Sequence, residues 1–100
     1  MDKYAHITEM ENILSSHNEL LREMDQLLDA LDAKCQEYKS LLEYYYSEQR
    51  AQDLEDDAHL LIPDTLHRGV LSEDEIFDLI GDYRDTAMRM LELGVQMLKE

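Results

Sequence analysis

The sequence predicts an all-α fold in which a long N-terminal helix packs antiparallel on a C-terminal helix, with a short helical corner between them. Two observations carry this prediction, a heptad series through the first half of the chain and a second helical series after residue 75. The composition agrees, because Leu, Met, Ala and Tyr provide most of the apolar residues and there is no Trp and one Phe. We therefore expect a helical hairpin or three-helix arrangement forming a single domain over residues 1–100.

The first helix is predicted over about residues 3–46. Apolar residues recur from Ile7 to Tyr45 at alternating intervals of three and four, and neither Pro nor Gly interrupts this span. In heptad lettering, Ile7 is at position a. Apolar residues at g widen the stripe, and these are Ile13, Leu20, Leu27 and Leu41. A stripe of a, d and g residues suits a helix that touches more than one neighbour.

The length of this helix predicts an interface. About 40 residues would extend about 60 Å, whereas the C-terminal helix would extend only about 40 Å. An apolar stripe that its own chain cannot cover usually marks an interaction surface, so a homodimer is the favoured completion. The Tyr-rich end of the stripe is an alternative interface. The preferred interface candidates are Ile7, Met10, Leu14, His17, Leu21 and Met24. His17 is either a buried group that sets the register or a partly hydrated histidine near an end of the bundle.

The corner, residues 47–71, interrupts the regular pattern. Ser47 is a good N-cap for a short helix from Glu48 to about Ala58. Pro63 disfavours a helical conformation for the residue before it, and Gly69 is suited to a left-handed helix stop. The leucines and isoleucines of this segment predict a compact corner, with these side chains buried and with Tyr45 buried beside them.

The C-terminal helix is predicted over residues 72–99. Ser72 and Glu75 have the spacing of a capping box, in which the serine oxygen accepts the amide of the third residue and the glutamate reaches back. From Ile76 to Met97, apolar or small residues repeat at intervals of four and three. This box gives the sharpest boundary that the sequence predicts.

Charge and cysteine content restrict the partners. The net charge of −15 disfavours binding to nucleic acid or to anionic membranes, and the first residues contain no apolar leader segment. No apolar run approaches the roughly 20 residues that a membrane-spanning helix needs. The lone Cys35 excludes an internal disulfide and lies at a seam position, where we expect a small buried residue. The predicted location is the reducing cytoplasm.

A family resemblance rests on the residues after the long helix. The quoted elements are the pair Tyr45-Tyr46, the acidic Asp53-Leu54-Glu55 and the run from Arg68 to Asp74. The stretch from Tyr44 to Leu93 resembles a small bacterial family known as domain of unknown function 4298, and the long amphipathic helix before it fits as well. The resemblance implies an all-helical cytoplasmic bacterial protein of about this length. It brings no assigned activity, cofactor or catalytic residue.

Two acidic patterns suggest metal binding, and both are weak. Asp56 and His59 have the i, i+3 spacing that helical di-iron proteins use in Glu-x-x-His motifs, but such sites need further Glu ligands from other helices. The acidic ladder of the C-terminal helix resembles half of a Mg²⁺ site in helical nucleotide pyrophosphohydrolases, and its members are Glu75, Asp78, Asp82 and Asp85. The second half, Glu-Glu-x-x-Glu, does not occur.

The sequence therefore predicts a non-enzymatic interaction module without a cofactor or catalytic residues. It would self-associate through its long helix, and an unidentified protein partner is also conceivable. The alternative is a small Mg²⁺- or Mn²⁺-dependent hydrolase that uses the acidic ladder.

Overall fold

The structure, a computed structural model, describes residues 2–99 and contains only helical elements over that range. The elements in chain order are α1 (Ala5–Ala33), α2 (Cys35–Tyr45), α3 (Glu48–Ala58), a 3₁₀ turn (Gly69–Leu71) and α4 (Glu75–Leu98). The predicted all-α class is confirmed, and four α-helices without a strand in the described range are consistent with a helical hairpin. The two ends of the predicted domain, residues 1 and 100, lie outside the described residues.

The chain divides into two compact units, Met1–Leu41 and Leu42–Glu100. The first unit contains α1 and most of α2. The second contains the end of α2 together with α3, the 3₁₀ turn and α4. Within the second unit, the 3₁₀ turn contacts both α3 and α4. The corner is therefore where helices of this unit meet.

The predicted continuous helix over residues 3–46 is interrupted at Lys34. Its backbone N–H is shared between the carbonyls of Ala30 and Leu31, each at 3.2 Å, so the last turn of α1 tightens. The Cys35 thiol also donates to the Leu31 carbonyl at 3.5 Å, which adds a side chain to the helical ladder. Regular bonding resumes when the Tyr38 N–H donates to the Lys34 carbonyl at 3.0 Å. The interruption is one residue long and needs neither Pro nor Gly.

Both serines predicted as helix caps accept a backbone hydrogen bond. Ser47 Oγ accepts from the Arg50 N–H at 3.1 Å, and Ser72 Oγ accepts from the Glu75 N–H at 3.0 Å. The predicted start of the C-terminal helix at Ser72 was wrong, because α4 begins at Glu75 with Asp74 at its N-cap. Ser72 ends the 3₁₀ turn instead, and its N–H donates to the Gly69 carbonyl at 3.1 Å. The Glu75 carboxylate instead lies against Gly69, where a Cβ would collide with its Oε2.

The left-handed helix stop lies at Leu60 and not at Gly69, so that prediction was wrong. Leu60 has φ 58°, and no glycine in the described range has positive φ. The Leu61 N–H donates to the Asp56 carbonyl at 3.0 Å, and the Leu60 N–H donates to the Asp57 carbonyl at 3.1 Å. These two bonds form a Schellman motif that ends α3. A leucine in this conformation carries backbone strain on the order of 1–2 kcal/mol.

Burial in the described chain is concentrated in Ile76, which is 3% exposed. Of the corner residues expected to be buried, Leu60, Leu61 and Leu66 are exposed, with Leu60 at 87%, whereas Ile62 and Leu71 are half-buried. The burial of the three exposed leucines was therefore predicted wrongly. Pro63 and the left-handed Leu60 hold this segment in a loop outside the helices, so helical periodicity does not determine where its side chains lie. Tyr45, also expected to be buried, is half-buried.

Candidate functional site

The most prominent surface feature is an apolar stripe on α1. Its nine apolar members are all between 41% and 64% exposed, and no residue of α1 is buried. We call this surface the α1 stripe, and it consists of Ile7, Met10, Ile13, Leu14, Leu20, Leu21, Met24, Leu27 and Leu28 together with His17. It includes all of the preferred interface candidates that the sequence suggested, and not the alternative Tyr-rich end. A contiguous apolar surface of this length is unusual for an isolated protein and typical of an interaction site.

His17 is the polar member of the α1 stripe, and its side chain is exposed. Its Nδ1 lies 3.0 Å from the carbonyl oxygen of Ile13, one turn earlier in the same helix. This bond uses one ring nitrogen locally and leaves the rest of the ring on the stripe. The His17 ring is therefore hydrated in the single chain and is not a buried group that sets the register.

Cys35 is an exposed free thiol, whereas the sequence predicted a buried residue. The difference arises from the position of Cys35 at the interruption between α1 and α2, where its thiol bonds to the Leu31 carbonyl. A seam position is buried only if another element covers the seam. We assign no chemistry to this thiol.

The acidic ladder lies on the surface of α4. All four of its carboxylates are exposed, namely those of Glu75, Asp78, Asp82 and Asp85. Within residues 2–99, no group of three or more His, Cys, Asp or Glu side chains could hold a metal ion.

The second weak metal candidate, Asp56 with His59, has local bonds. An Asp56 carboxylate oxygen accepts from the Gln52 amide at 2.9 Å, and His59 Nδ1 lies 2.9 Å from the Glu55 carbonyl oxygen. His59 also caps the C-terminus of α3, beyond the last helical residue. The observed roles of these two residues are side-chain bonding and helix termination.

A hydrogen bond between Tyr44 and Asp53 joins the end of α2 to α3. The Tyr44 hydroxyl donates to the Asp53 carboxylate at 2.6 Å, and the Gln49 amide donates to its other oxygen at 2.8 Å. The tyrosine hydrogen bond, followed by that of Gln49, lowers the pKa of Asp53 because both bonds favour the carboxylate. Desolvation and the nearby Asp53 charge raise the pKa of Tyr44. The lowered pKa of Asp53 and the raised pKa of Tyr44 both favour a neutral phenol bonded to a carboxylate at neutral pH.

Arg50 links α3 to the segment before α4. Its Nε donates to the Val70 carbonyl at 3.0 Å and one terminal nitrogen donates to the Ser72 carbonyl at 3.2 Å. The guanidinium also lies over the Tyr45 ring, 4.7 Å from the centroid, in a cation–π contact. One side chain thus connects three parts of the second unit.

A half-open cleft of about 290 Å³ lies between α3 and the loop that follows it. Its apolar wall includes Ile62, Leu66 and Val70. Among its polar lining residues, Arg68 donates to Asp57 at 2.7 Å and Tyr44 donates to Asp53. The hydrogen bonds of Tyr44 and Arg68 at this cleft stabilise the corner.

Sequence reasoning missed the side chains that hold the corner together, above all Tyr44, Arg50 and Arg68. Their partners are 9 to 22 residues away in the chain. No periodicity connects such positions, so the pattern gave no signal for these pairs. The Gln49–Asp53 pair, which supports the Tyr44 bond, has the i, i+4 spacing that a sequence can indicate.

The fold and surfaces define an all-helical protein with an exposed amphipathic first helix. The family described as domain of unknown function DUF4298 matches residues 7–93. The chain belongs to this family, which confirms the predicted resemblance. Neither the curated proteins nor the solved structures provide a significant match. None of the helices within residues 2–99 combines the length and hydropathy needed to cross a bilayer.

Proposed function

We propose that this protein is a non-enzymatic interaction module of the cytoplasm that forms a homodimer through the α1 stripe. The observation that carries the proposal is the exposure of nine large apolar side chains along one face of a 29-residue helix. Burying each of them on association contributes on the order of 1 kcal/mol. Summed over both copies, this is enough to offset an association cost on the order of 4–15 kcal/mol.

The helix itself supports the proposal, since its own ends are weakly stabilised. Tyr4 at the N-cap makes no side-chain capping bond, the first turn has no acidic residue, and the last turn has no basic residue. Helices in water gain most of their stability from packing an amphipathic face and little from propensity. A second copy that covers the stripe supplies this packing.

The proposal predicts a specific mass in solution. Light scattering coupled to gel filtration should give twice the chain mass of 11.8 kDa at micromolar concentration. Leu21→Glu places a charge in the centre of the stripe and should convert the protein to a monomer. Gln26→Glu adds the same charge on the opposite face of α1 and should leave the dimer intact. A monomeric wild-type protein, or equal effects of the two substitutions, would contradict the proposal.

A different measurement distinguishes the interaction module from the alternative, a metal-dependent hydrolase. If the acidic ladder is a hydrated face, thermal melts with Mg²⁺ or Mn²⁺ should match those in equal ionic strength of Na⁺. A metal-specific rise in Tm that disappears in the Glu75→Ala, Asp78→Ala double variant would contradict the non-enzymatic assignment.

A further inference from the structure

We infer that the two α1 helices of the dimer pair antiparallel, so that the partner of each α1 stripe is the same stripe of a second copy running in the opposite direction. This inference rests on the proposed function, because it specifies how a second copy covers the stripe.

The seam residues of α1 match in an antiparallel register. In such a pair, a positions of one helix face d positions of the other. One register satisfies all of them, with Ile7 opposite Leu31, Met10 opposite Leu28, Leu14 opposite Met24 and His17 opposite Leu21. Each contact occurs twice, since the two copies are equivalent. The overlap then extends over nearly the whole of α1, and His17 packs near the centre.

The edges of the stripe distinguish the two orientations. One edge is apolar, at Ile13, Leu20 and Leu27, and the other is polar or acidic, at Glu11, Asn18, Asp25 and Asp32. In a parallel pair, each apolar edge lies beside the acidic edge of the partner, so leucines desolvate carboxylates on both sides. In an antiparallel pair, like edges meet. The apolar residues then bury one another while the carboxylates remain in water.

The antiparallel arrangement brings some acids of the two copies near one another, for example Glu11 of one and Asp25 of the other. These carboxylates are exposed, so their repulsion is screened over a Debye length of about 8 Å at physiological ionic strength. Exposed charge pairs have small effects compared with the burial of a leucine. The apolar edge therefore decides the orientation.

The available surface is sufficient for a stable dimer. Nine large apolar side chains, each about half exposed, offer area on the order of the roughly 800 Å² per partner that a standard interface buries. The apolar edge of Ile13, Leu20 and Leu27 is needed to reach this value. A parallel arrangement, which places this edge beside carboxylates, buries less apolar area.

Cysteine cross-linking tests the orientation. In a Cys35→Ser background, Leu14→Cys and Met24→Cys are prepared as two separate single-cysteine proteins, and a third sample mixes and refolds both. The antiparallel register predicts an oxidised dimer of twice the chain mass in the mixture and none in either protein alone. The matched control pair is Asn12→Cys and Gln26→Cys, at the same levels of the helix on its outer face, where no sample should cross-link.

The remaining outcomes overturn the inference in separable ways. Cross-linking of each single-cysteine protein with itself means a parallel pair, and the proposed dimer through α1 then still stands. No cross-link in any sample, while light scattering gives a dimer, means that another surface forms the interface, and both proposals fail. If no sample cross-links and light scattering gives a monomeric mass, both the dimer and its antiparallel orientation are refuted. In that case the monomeric mass shows that the dimer itself does not form.

Discussion

Helix α1 and the corner with the start of α4 are two regions of one chain that are stabilised in opposite ways. Helix α1 has 29 residues, and none of them is buried. The corner has little apolar burial beyond Ile76, yet side chains such as Arg50 and Tyr44 connect segments far apart in sequence. The first region depends on apolar surface that its chain leaves open, and the second on polar bonds already formed.

This comparison shows that exposure has different meanings in the two regions. In the corner, exposed leucines such as Leu60 belong to a loop whose backbone is fixed by the Schellman bonds and by the Arg68–Asp57 ion pair. In α1, exposed residues recur with a strict helical period. Only the periodic pattern provides a continuous surface that a second helix can cover.

The largest expected effect concerns the buried residue of the second unit. Ile76→Ala should lower the free energy of unfolding by about 2–4 kcal/mol, because it removes buried methylene groups and leaves a cavity. The matched control is Phe77→Ala on the same helix, where the ring is 63% exposed and the expected change is about 0.5 kcal/mol or less. Urea unfolding followed by circular dichroism at fixed protein concentration measures both. Equal losses would show that Ile76 is no more important than the surface.

The next largest effect is expected from removing the hydrogen bonds of Arg50 that hold the corner together. Arg50→Ala removes two hydrogen bonds to carbonyls and the contact with Tyr45, and should cost about 1–2 kcal/mol after allowance for solvent exposure. Arg84→Ala, on the exposed surface of α4, removes the same charge and serves as the control. If both variants unfold at the same urea concentration, the description of Arg50 as a structural link is wrong.

A smaller effect of opposite sign is expected at the end of α3. Leu60→Gly relieves the left-handed strain but gives the unfolded chain more freedom, for a net gain of about 0.5–1 kcal/mol. Leu61→Gly, one residue later and without positive φ, should destabilise or leave stability unchanged. Thermal melts of the two variants against the wild type provide the comparison. A loss of stability in Leu60→Gly would mean that the leucine side chain matters more than the strain.

The most subtle test concerns the pH dependence of the corner. The Tyr44 hydroxyl is the largest cause of the lowered Asp53 pKa, so folding favours the carboxylate. The stability that this bond contributes is therefore complete above the ordinary aspartate pKa of about 3.9 and is lost as pH falls through the lower folded value. Tyr44→Phe should raise the Asp53 pKa toward its ordinary value.

Carboxyl chemical shifts followed by NMR titration measure this pKa directly. Gln49→Ala removes the weaker of the two hydrogen bonds and should raise the same pKa by less. An Asp53 titration unchanged by Tyr44→Phe would show that the hydrogen bond is not formed in solution.

Much of the local structure could be predicted because it depends on neighbours in the chain. The heptad period placed the stripe of α1, and Ser47 was correctly identified as the N-cap of α3, since these features are decided within four residues. The candidate interface from Ile7 to Met24 was identified on the same basis, and all of it is exposed. Whether a second copy covers it is a question that light scattering and cross-linking answer.

The sequence by itself determined the all-α class, the amphipathic face of the first helix, the α3 boundaries and the family. Only the tertiary structure decided that most of the corner leucines are exposed, that Leu60 and not Gly69 is left-handed, and that Arg50 and Tyr44 hold the corner. The physical reason is the range of the interactions. Periodicity and capping act between residues a turn apart, whereas these contacts form only after the backbone has brought distant residues together.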